Sequence, residues 1–327
     1  PYASVADGTN VIDLQGMARD CTHRVALTVA LPGEEEIELE VHVVRGATDG
    51  PTVGAFSGIH GDEQVGVAAL ARLAETLGAD KIRGTMILMP IVNPPATWAG
   101  SRLIPNEATD LNRSFDASLH RGPIAGAIAD ALLSVVTKLD FLYTMHSWSS
   151  GYACLPYIEH QTGARVVSAS RSAADAMGLG FVEPIDPKPG RLLTAAARAG
   201  VPAIEGEVGG LGMTTLALER SYEGTVLRLA AHLGMTRHLS RPRRPAVHIV
   251  RHDVTSPLDA ILRLGPSLGA GVAQDEGIAE IVEPASGMRR ILKSPAGGWL
   301  GIRRETATVG AGVLVASIFA PLRGGRS

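Results

Sequence analysis

The sequence predicts an α/β protein in which a mostly parallel sheet is flanked by helices and is followed by a small all-β domain. Apolar, strand-like runs alternate with amphipathic helical runs in the first part of the chain, which is typical of such a sheet. Hydrophobic residues make up 45% of the 327 residues, enough for a sizeable core. From about residue 246, short apolar runs and glycine turns replace the helical periodicity.

The predicted elements follow one another in order. Two extended segments, 21–31 and 36–45, come first and are joined by an acidic turn. Four strands are then predicted at TVGAFSG, GTMILMPIVNP, DFLYTMHS and VPAIEGE, and four helices at EQVGVAALARLAETL, PIAGAIADALLSVVTKL, RLLTAAARAG and LALERSYEGTVLRLAAHLG. In sheets of this kind ligands bind beyond the carboxyl ends of the strands.

The segment SRPRRP at 240–245 separates two regions of different composition. Its prolines favour a linker over a basic binding stripe, so we predict one domain over 1–240 and a β domain over 246–327. The second region contains a weak repeat. Ser-Pro recurs 38 residues after position 256, and Gly-Ala-Gly-Val recurs 41 residues after position 269 (310 − 269). The pattern predicts two similar halves, although a Gly/Ala-rich chain also produces such matches by chance.

Charge and cysteine usage exclude several classes of protein. A net charge of −3 argues against nucleic-acid and membrane-surface partners, which favour a basic excess. Cys21 and Cys154 are far apart and match no metal spacing, which indicates a reducing compartment. We see neither a signal peptide nor an uncharged apolar run long enough to span a bilayer, so we expect a cytoplasmic protein.

A histidine and an acid lie where a strand meets a helix, in the stretch SGIHGDEQVGV at 57–67. His60 and Glu63 are three positions apart, so a first helical turn places both on one side. One imidazole and one carboxylate suit zinc. For these two residues alone, a Glu that favours the positive end of the helix dipole is the better explanation.

His146 ends the strand DFLYTMH and follows Glu63 by 83 positions (146 − 63). Two ligands close together and a third far along the chain are typical of a catalytic zinc site, in which three protein ligands leave one position for water. Taken by itself, His146 is more simply explained as a strand-end histidine that is hydrogen-bonded to a loop.

The loop TDLNRSF at 109–115 carries further polar groups. Arg113 offers a fork of donors to a carboxylate, and Asn112 offers both a donor and an acceptor. Asp110 can orient a ligating histidine through its second ring nitrogen. Arg102, ten positions before Asn112, adds a second cation. Each of these is explained equally well as a solvated loop residue.

Two carboxylates follow an apolar strand in IEGEVGG at 204–210. Glu205 and Glu207 are separated by one glycine, so they lie on one face of the strand. A carboxylate beside a zinc site can take a proton from water and pass it to a leaving amine. The residues alone leave open which of the two has this role.

The motifs GIHGDE, DLNRSF, MHS and EVGG occur in this order and at suitable intervals between about residues 52 and 210. With this set the chain resembles the succinylglutamate desuccinylase/aspartoacylase family, a branch of the zinc carboxypeptidase-like superfamily. The C-terminal β region also resembles that of the family. The resemblance implies a zinc-carboxypeptidase-like catalytic domain and a hydrolase that cleaves the amide bond of a small N-acyl amino acid.

The resemblance also implies roles for individual residues. It implies one zinc ion per chain held by His60, Glu63 and His146. Asn112 and Arg113 match the pair that binds a substrate carboxylate, and Arg102 resembles the arginine that polarises the scissile carbonyl. Glu207, directly before VGG, resembles the general base, with Glu205 as the second candidate. The resemblance also implies a homodimer.

The chain departs from the family at one point. Thr144 stands where family members often have an Asp two positions before the third ligand, and Ser147 follows the ligand as in the peptidase branch. A metallocarboxypeptidase acting on short peptides is therefore the alternative function. A non-enzymatic structural zinc site is a third, but it normally requires four protein ligands, and we find three. Manganese or cobalt in place of zinc also stays open.

Overall fold

The computed structural model describes residues 12–31, 33, 35–163, 165–236 and 245–322. Within these residues the chain forms six α-helices, which are α1 Gln64–Thr76, α2 Pro94–Ala99, α3 Pro123–Val136, α4 Val167–Ala176, α5 Leu192–Arg198 and α6 Leu216–His232. Its strands are β1 Cys21–Ala30, β2 Glu36–Arg45, β3 Thr52–Ser57, β4 Thr85–Met89, β5 Phe141–His146, β6 Tyr152–Cys154, β7 Tyr157–Gln161, β8 Phe181–Ile185, β9 Ala203–Glu207, β10 Val247–Thr255, β11 Ala260–Leu264, β12 Gly271–Val272, β13 Gly277–Val282, β14 Arg289–Lys293, β15 Gly298–Arg304, β16 Thr308–Val309 and β17 Leu314–Pro321.

The main sheet is mixed and has the strand order β1-β2-β4-β3-β5-β9-β7-β8-β10-β17-β15-β12, with β6 paired to β15. Its centre is parallel, because β4, β3, β5 and β9 all run in one direction. Strand β2 is antiparallel to β4 and forms an antiparallel hairpin with β1, and β7 is antiparallel to β9. A second sheet has the order β14-β13-β11-β16. The predicted α/β fold class with a C-terminal all-β region is therefore confirmed.

Helices cover both faces of the main sheet. Helices α3 and α5 pack on one face, where Ile128, Leu132 and Leu192 are buried against strand residues such as Phe56. Helices α1, α4 and α6 pack on the other face. Since both faces are covered, the central strands β4 and β5 are buried at every position. The carboxyl ends of these strands are therefore the places where β3 and β5 can present polar groups to a ligand.

Each half of the C-terminal region contains a strand that pairs with a strand of the other half. Strand β11 of the first half pairs with β16 of the second, with Ala260 opposite Val309. Strand β15 of the second half pairs with β12 of the first, with Gly298 opposite Val272. The halves are thus offset by 38 and 37 residues (298 − 260 and 309 − 272), as the Ser-Pro repeat predicts. The predicted equivalence of the Gly-Ala-Gly-Val motifs is wrong, because the first leads into β12 and the second follows β16.

The C-terminal region is continuous with the main sheet. Strand β10 pairs in parallel with β8, and β15 pairs with β6. The division into 1–240 and 246–327 stays a prediction, and the proposed linker SRPRRP lies almost wholly outside the described residues. Among these residues no helix is long and apolar enough to cross a lipid bilayer.

Several elements were not predicted from the sequence. The stretches GYACLPYIEH and VEPIDPKPGR contain strands β6 and β7 and most of β8. Helices α2 and α4 were not predicted either. Pro94 and Pro95 begin α2, which Asn93 caps through its side chain.

Candidate functional site

The polar motifs meet at the carboxyl ends of three adjacent strands. Strand β5 lies between β3 and β9, with Ser57 opposite Met145 and His146 opposite Glu207. Because all three strands are parallel, the loop after β3 and the last residues of β5 and β9 come together at one edge. The sheet thus positions His60, His146 and Glu207 on the same side of the molecule.

The turn between β3 and α1 is tightly constrained. Gly58 has a positive φ of 67°, which favours glycine. At Gly61 a Cβ atom would lie 1.8 Å from the carbonyl oxygen of Ala96, so no larger residue fits. Glu63 is the N-cap residue of α1, but its side chain does not cap the helix. Its carboxylate is instead free to face the two histidines.

His60, Glu63 and His146 form a buried cluster whose possible ligand atoms all lie within 4.8 Å of one another. Nδ1 of His60 is 2.7 Å from Oε1 of Glu63, and Nδ1 of His146 is 2.8 Å from Oε2 of the same carboxylate. The two imidazole rings are 5.1 Å apart, centre to centre. This arrangement could hold a metal ion with two nitrogen ligands and one carboxylate.

Electrostatic interactions within the cluster are strong. Burial by itself would lower the pKa of His60, but the Glu63 carboxylate and a hydrogen bond to Asp110 raise it to about 9. Burial likewise opposes ionisation of Glu63, yet His60 and His146 hold the pKa of Glu63 well below its usual range. The carboxylate is therefore charged at neutral pH, as a metal ligand must be.

Asp110 orients the outer side of His60. Its Oδ1 lies 3.1 Å from Nε2 of His60 and also accepts the backbone N–H of Asn112 at 2.8 Å. Oδ2 of Asp110 accepts a hydrogen bond from Arg102 at 3.1 Å, and the same guanidinium donates to Glu63 at 3.2 Å. The expected position of Asp110 behind a ligating histidine is thus observed, and Arg102 lies beside the cluster.

Asn112 and Arg113 lie in a single helical turn that follows Asp110. Oδ1 of the buried Asn112 accepts the backbone N–H of Leu192 at 3.0 Å, which ties this turn to the start of α5. A Cβ at Gly190, where φ is 83°, would lie 2.3 Å from the carbonyl oxygen of Arg113. These contacts fix the turn, while the Arg113 guanidinium is exposed to the cavity.

Glu205 is paired and charged. Arg191 donates to Oε1 of Glu205 and, at 2.7 Å, to Oε2 of Glu159. Burial opposes ionisation of Glu205, but Arg191 outweighs it and lowers the pKa of Glu205 to about 2. Its second oxygen lies 3.5 Å from the hydroxyl of Thr144, the residue that departs from the family pattern.

Glu207 is in the opposite state. Its Oε2 is buried and has no hydrogen-bond partner among the described residues. Burial, reinforced by the nearby Glu63 carboxylate, raises the pKa of Glu207 well above its usual range. Of the two glutamates on β9, Glu207 is the one whose carboxyl group is free to exchange a proton.

A cavity of about 300 Å³ joins these groups, and its walls come from both regions of the chain. Its charged lining residues are Arg102, Arg113, Lys188, Arg191, Arg251, Glu63, Glu159, Glu205 and Glu207. Arg251 and Leu314 belong to the C-terminal region. All seven residues predicted for the site line this cavity: His60, Glu63, His146, Arg102, Asn112, Arg113 and Glu207. Their roles stay predictions.

The sequence did not identify several further residues that line the cavity, among them Glu159, Arg191 and Arg251. Glu159 is buried in β7, and Arg191 holds it next to Glu205. Arg251 donates to the hydroxyl of Tyr157 at 3.0 Å and lies 5.9 Å from the ring centre of Trp148. No short motif marks these residues. A charged residue inside a buried strand, such as Glu159, was the one available signal.

Comparison with known proteins places the chain in a family. The sequence model of the succinylglutamate desuccinylase/aspartoacylase catalytic domain matches residues 49–233, more than half of the chain. The chain belongs to the succinylglutamate desuccinylase/aspartoacylase family. This confirms the resemblance inferred from the four motifs.

Individual members of the succinylglutamate desuccinylase/aspartoacylase family agree with this placement. The chain is 28% identical over 282 residues to N-alpha-acetyl-L-2,4-diaminobutyric acid deacetylase of Halomonas elongata, covering 83% of this chain and 82% of the relative. Its fold is similar to a succinylglutamate desuccinylase/aspartoacylase structure from Rhodobacter sphaeroides, with a TM-score of 0.87, 22% identity and coverage of 97% and 100%. It is also similar to the product-bound ectoine utilization protein EutE (DoeB) of Ruegeria pomeroyi, with a TM-score of 0.85, 22% identity and coverage of 95% and 99%.

Proposed function

We propose that the protein is a zinc-dependent hydrolase that cleaves the amide bond of a small N-acyl amino acid. One observation carries this proposal. The buried cluster of His60, Glu63 and His146 lies in the same cavity as Glu207, whose Oε2 has no hydrogen-bond partner among the described residues. Within the part of the chain that the structure describes, the cluster has three ligands, and three ligands next to a free acid are typical of a catalytic metal rather than a structural one.

The donor set supports zinc. His60 and His146 direct their Nδ1 atoms to the Glu63 carboxylate, so two nitrogens and one oxygen converge at a buried point. When bound there, zinc lowers the pKa of a water molecule toward about 7 and polarises a carbonyl group. The Asp110 contact at 3.1 Å fixes the ring of His60 in the orientation that a ligand needs.

Glu207 is proposed as the general base and acid. It takes a proton from a water molecule as the water oxygen attacks the acyl carbon, and it then gives this proton to the leaving amine nitrogen. The products are a carboxylic acid and the free amino acid. The position of Glu207 supports this role, because its buried Oε2 has no hydrogen-bond partner among the described residues and burial disfavours its charged form.

Cationic groups in the cavity are proposed to position the substrate. Arg102 lies beside the cluster, where its guanidinium can donate to the developing oxyanion, an effect of about 3–4 kcal/mol for one good donor. Arg113 and Asn112 are proposed to hold the substrate carboxylate. Arg113 and Lys188 form no ion pair within the described part of the chain, so the cavity has positive charge available for an anion.

The size of the cavity supports a deacylase over the alternative carboxypeptidase. A volume of about 300 Å³ suits a small substrate, at the lower end of ligand-site volumes. Tyr152 and two residues of the C-terminal region, Arg251 and Leu314, contribute to the wall of this cavity and limit its size. The hydroxyl of Tyr152 donates to the carbonyl of Leu314 at 3.1 Å, which ties this wall together. The deacetylase name of the Halomonas elongata relative gives further support.

A substrate screen tests the proposal. Purified protein is analysed for metal and assayed against N-acetyl and N-succinyl amino acids, the same compounds with an amidated α-carboxyl group, and short peptides. We expect about one zinc per chain and the highest kcat/KM for N-acyl amino acids with a free carboxylate. The amides serve as matched controls, because they remove only the charge that Arg113 and Asn112 are proposed to bind.

Chelation provides the second arm of this test. Removal of the metal should abolish turnover, and added zinc should restore it. Equal or faster cleavage of peptides would favour the carboxypeptidase alternative, and full activity in the chelated protein would exclude a metal-dependent mechanism.

We also propose a cytoplasmic location. Cys21 and Cys154 are both free thiols, as expected in a reducing compartment. The expected homodimer, and the expected absence of nucleic-acid and membrane partners, stay predictions.

A further inference from the structure

The two histidines of the cluster differ on their outer sides. Nε2 of His60 faces Asp110 at 3.1 Å. Nε2 of His146 is buried and has no hydrogen-bond partner in the described residues. A ligating histidine whose outer nitrogen lacks a partner is less well oriented and less basic. The buried ring of His146 therefore requires an acceptor close to Nε2.

Glu205 is the carboxylate that approaches this nitrogen. Its Oε2 lies 3.7 Å from Nε2 of His146, and both side chains are almost fully buried. The register of the sheet creates this approach. Glu205 lies opposite Thr144 on the neighbouring strand, and Thr144 and His146 point to the same side of β5 because they are two residues apart.

Arg191 keeps Glu205 in place and charged. Its guanidinium donates to the other oxygen, Oε1, so Oε2 is left facing the histidine. The hydroxyl of Thr144 donates to Oε2 at 3.5 Å, a long contact that leaves room for a second donor. Arg191, Glu205 and His146 thus form a continuous chain of polar groups that ends at the cluster of His60, Glu63 and His146.

We propose that Glu205 is a positioning residue that accepts the Nε2 proton of His146 and thereby directs Nδ1 of that ring to the metal. This inference rests on the proposed zinc site, because it assigns a role toward the metal ligands. It also gives the two glutamates of β9 separate tasks. Glu205 supports a ligand, and Glu207 exchanges protons.

The test measures zinc affinity without substrate, by competition with a chromophoric chelator. We expect Glu205→Ala to raise the zinc Kd by about 10–100-fold, the usual cost of losing such an outer partner. Glu205→Gln keeps the side-chain volume, so it reports on the same contact if the alanine variant does not fold. We expect it to raise the Kd as well.

Two further variants separate positioning from general stability. Glu159→Gln is the matched control, because Glu159 also pairs with Arg191 but does not face His146, so its zinc Kd should equal that of wild type. Thr144→Asp combined with Glu205→Ala places a new carboxylate on the His146 side of β5. We expect this double variant to recover most of the zinc affinity. In cobalt-substituted protein, the visible spectrum should change with Glu205→Ala and return with the double variant.

Two outcomes would overturn the inference. One is a wild-type zinc Kd in both Glu205 variants. The other is an equal loss of affinity in Glu159→Gln, which would assign the effect to the Arg191 network instead of the His146 contact. Wild-type protein that binds no zinc would instead refute the proposed function, so the two failures are distinguishable.

Discussion

Glu205 and Glu207 have the same side chain, lie on the same face of one strand, and are separated by a single glycine, yet their environments are opposite. Arg191 lowers the pKa of Glu205 to about 2 against the effect of burial. Burial and the neighbouring Glu63 raise the pKa of Glu207 well above its usual range. The difference comes from one guanidinium, which reaches Glu205 and Glu159 but not Glu207. A counter-charge thus decides whether a buried carboxylate is a fixed anion or a proton carrier.

The largest effect is expected from Glu207→Gln. The amide keeps the shape of the side chain but cannot take a proton from water, so we expect kcat to fall by about 10²–10⁴-fold. Zinc content and KM should stay close to wild type. The measurement is steady-state kinetics together with metal analysis.

Glu205→Gln is the control for this prediction. Assayed at saturating zinc, it should retain more activity than Glu207→Gln. The assignment of the base would be refuted if the Glu205 variant lost the larger part of kcat, or if Glu207→Gln lost its zinc.

The next largest effect, a loss of stability, is expected when the Arg191 guanidinium is removed. Arg191→Met leaves Glu159 and Glu205 buried without their guanidinium, and we expect a loss of about 3–5 kcal/mol in the free energy of unfolding. Urea unfolding at pH 7 provides the measurement.

Arg191→Lys tests whether a positive charge at this position is sufficient without the guanidinium group. Nη2 of Arg191 contacts both carboxylates, and lysine keeps the charge on a shorter side chain with a more strongly hydrated ammonium group, so an intermediate stability is expected. Wild-type stability in Arg191→Met would show that the guanidinium does not compensate the two buried charges.

Glu183 extends the comparison to a carboxyl group outside the proposed reaction. Burial, followed by the charge of Glu159, raises the pKa of Glu183 from 4.5 to about 8. The folded protein therefore binds more protons than the unfolded chain between these values, and this group destabilises the fold as the pH rises through that window.

The smallest effect is expected from Glu183→Gln, which removes this ionisation. Stability should be close to wild type at pH 5 and exceed it at pH 9, because only the wild type has to ionise a buried carboxyl group over this range. Urea unfolding at the two pH values measures the free energy of unfolding of both proteins. If the variant and wild type differed by the same amount at pH 5 and pH 9, the side chain would act through packing and not through its ionisation.

The sequence predicted those strands and helices whose pattern of apolar residues agrees with their burial in the fold. Strands β3, β4 and β5 are mainly apolar and almost entirely buried, and α1, α3 and α6 have clear helical periodicity. Strand β7 was missed because its residues YIEHQ are all buried although three of them are polar. Arg191, which is distant in sequence, neutralises Glu159 of this strand. A local pattern cannot show that compensation.

A local sequence pattern is also insufficient to assign every role in the candidate functional site. His60, Glu63 and His146 could be proposed because their positions at strand ends are visible in the sequence. The choice between Glu205 and Glu207 depends on Arg191, which α5 brings across from another part of the chain. Arg251 and Leu314 enter the cavity through strand pairing in the C-terminal region, for which the sequence carries no motif.

The C-terminal strands that complete the cavity wall are synthesised last, so the complete site can form only late in translation. Glu207 is the last of the predicted site residues to be synthesised, and Leu314, which also lines the cavity, follows it by 107 positions (314 − 207). At about 5–20 residues per second, a ribosome needs roughly 5–21 s to make this stretch. For that period the nascent chain contains its histidines and acids without the complete cavity wall. Any metal bound by the growing chain therefore meets an open site.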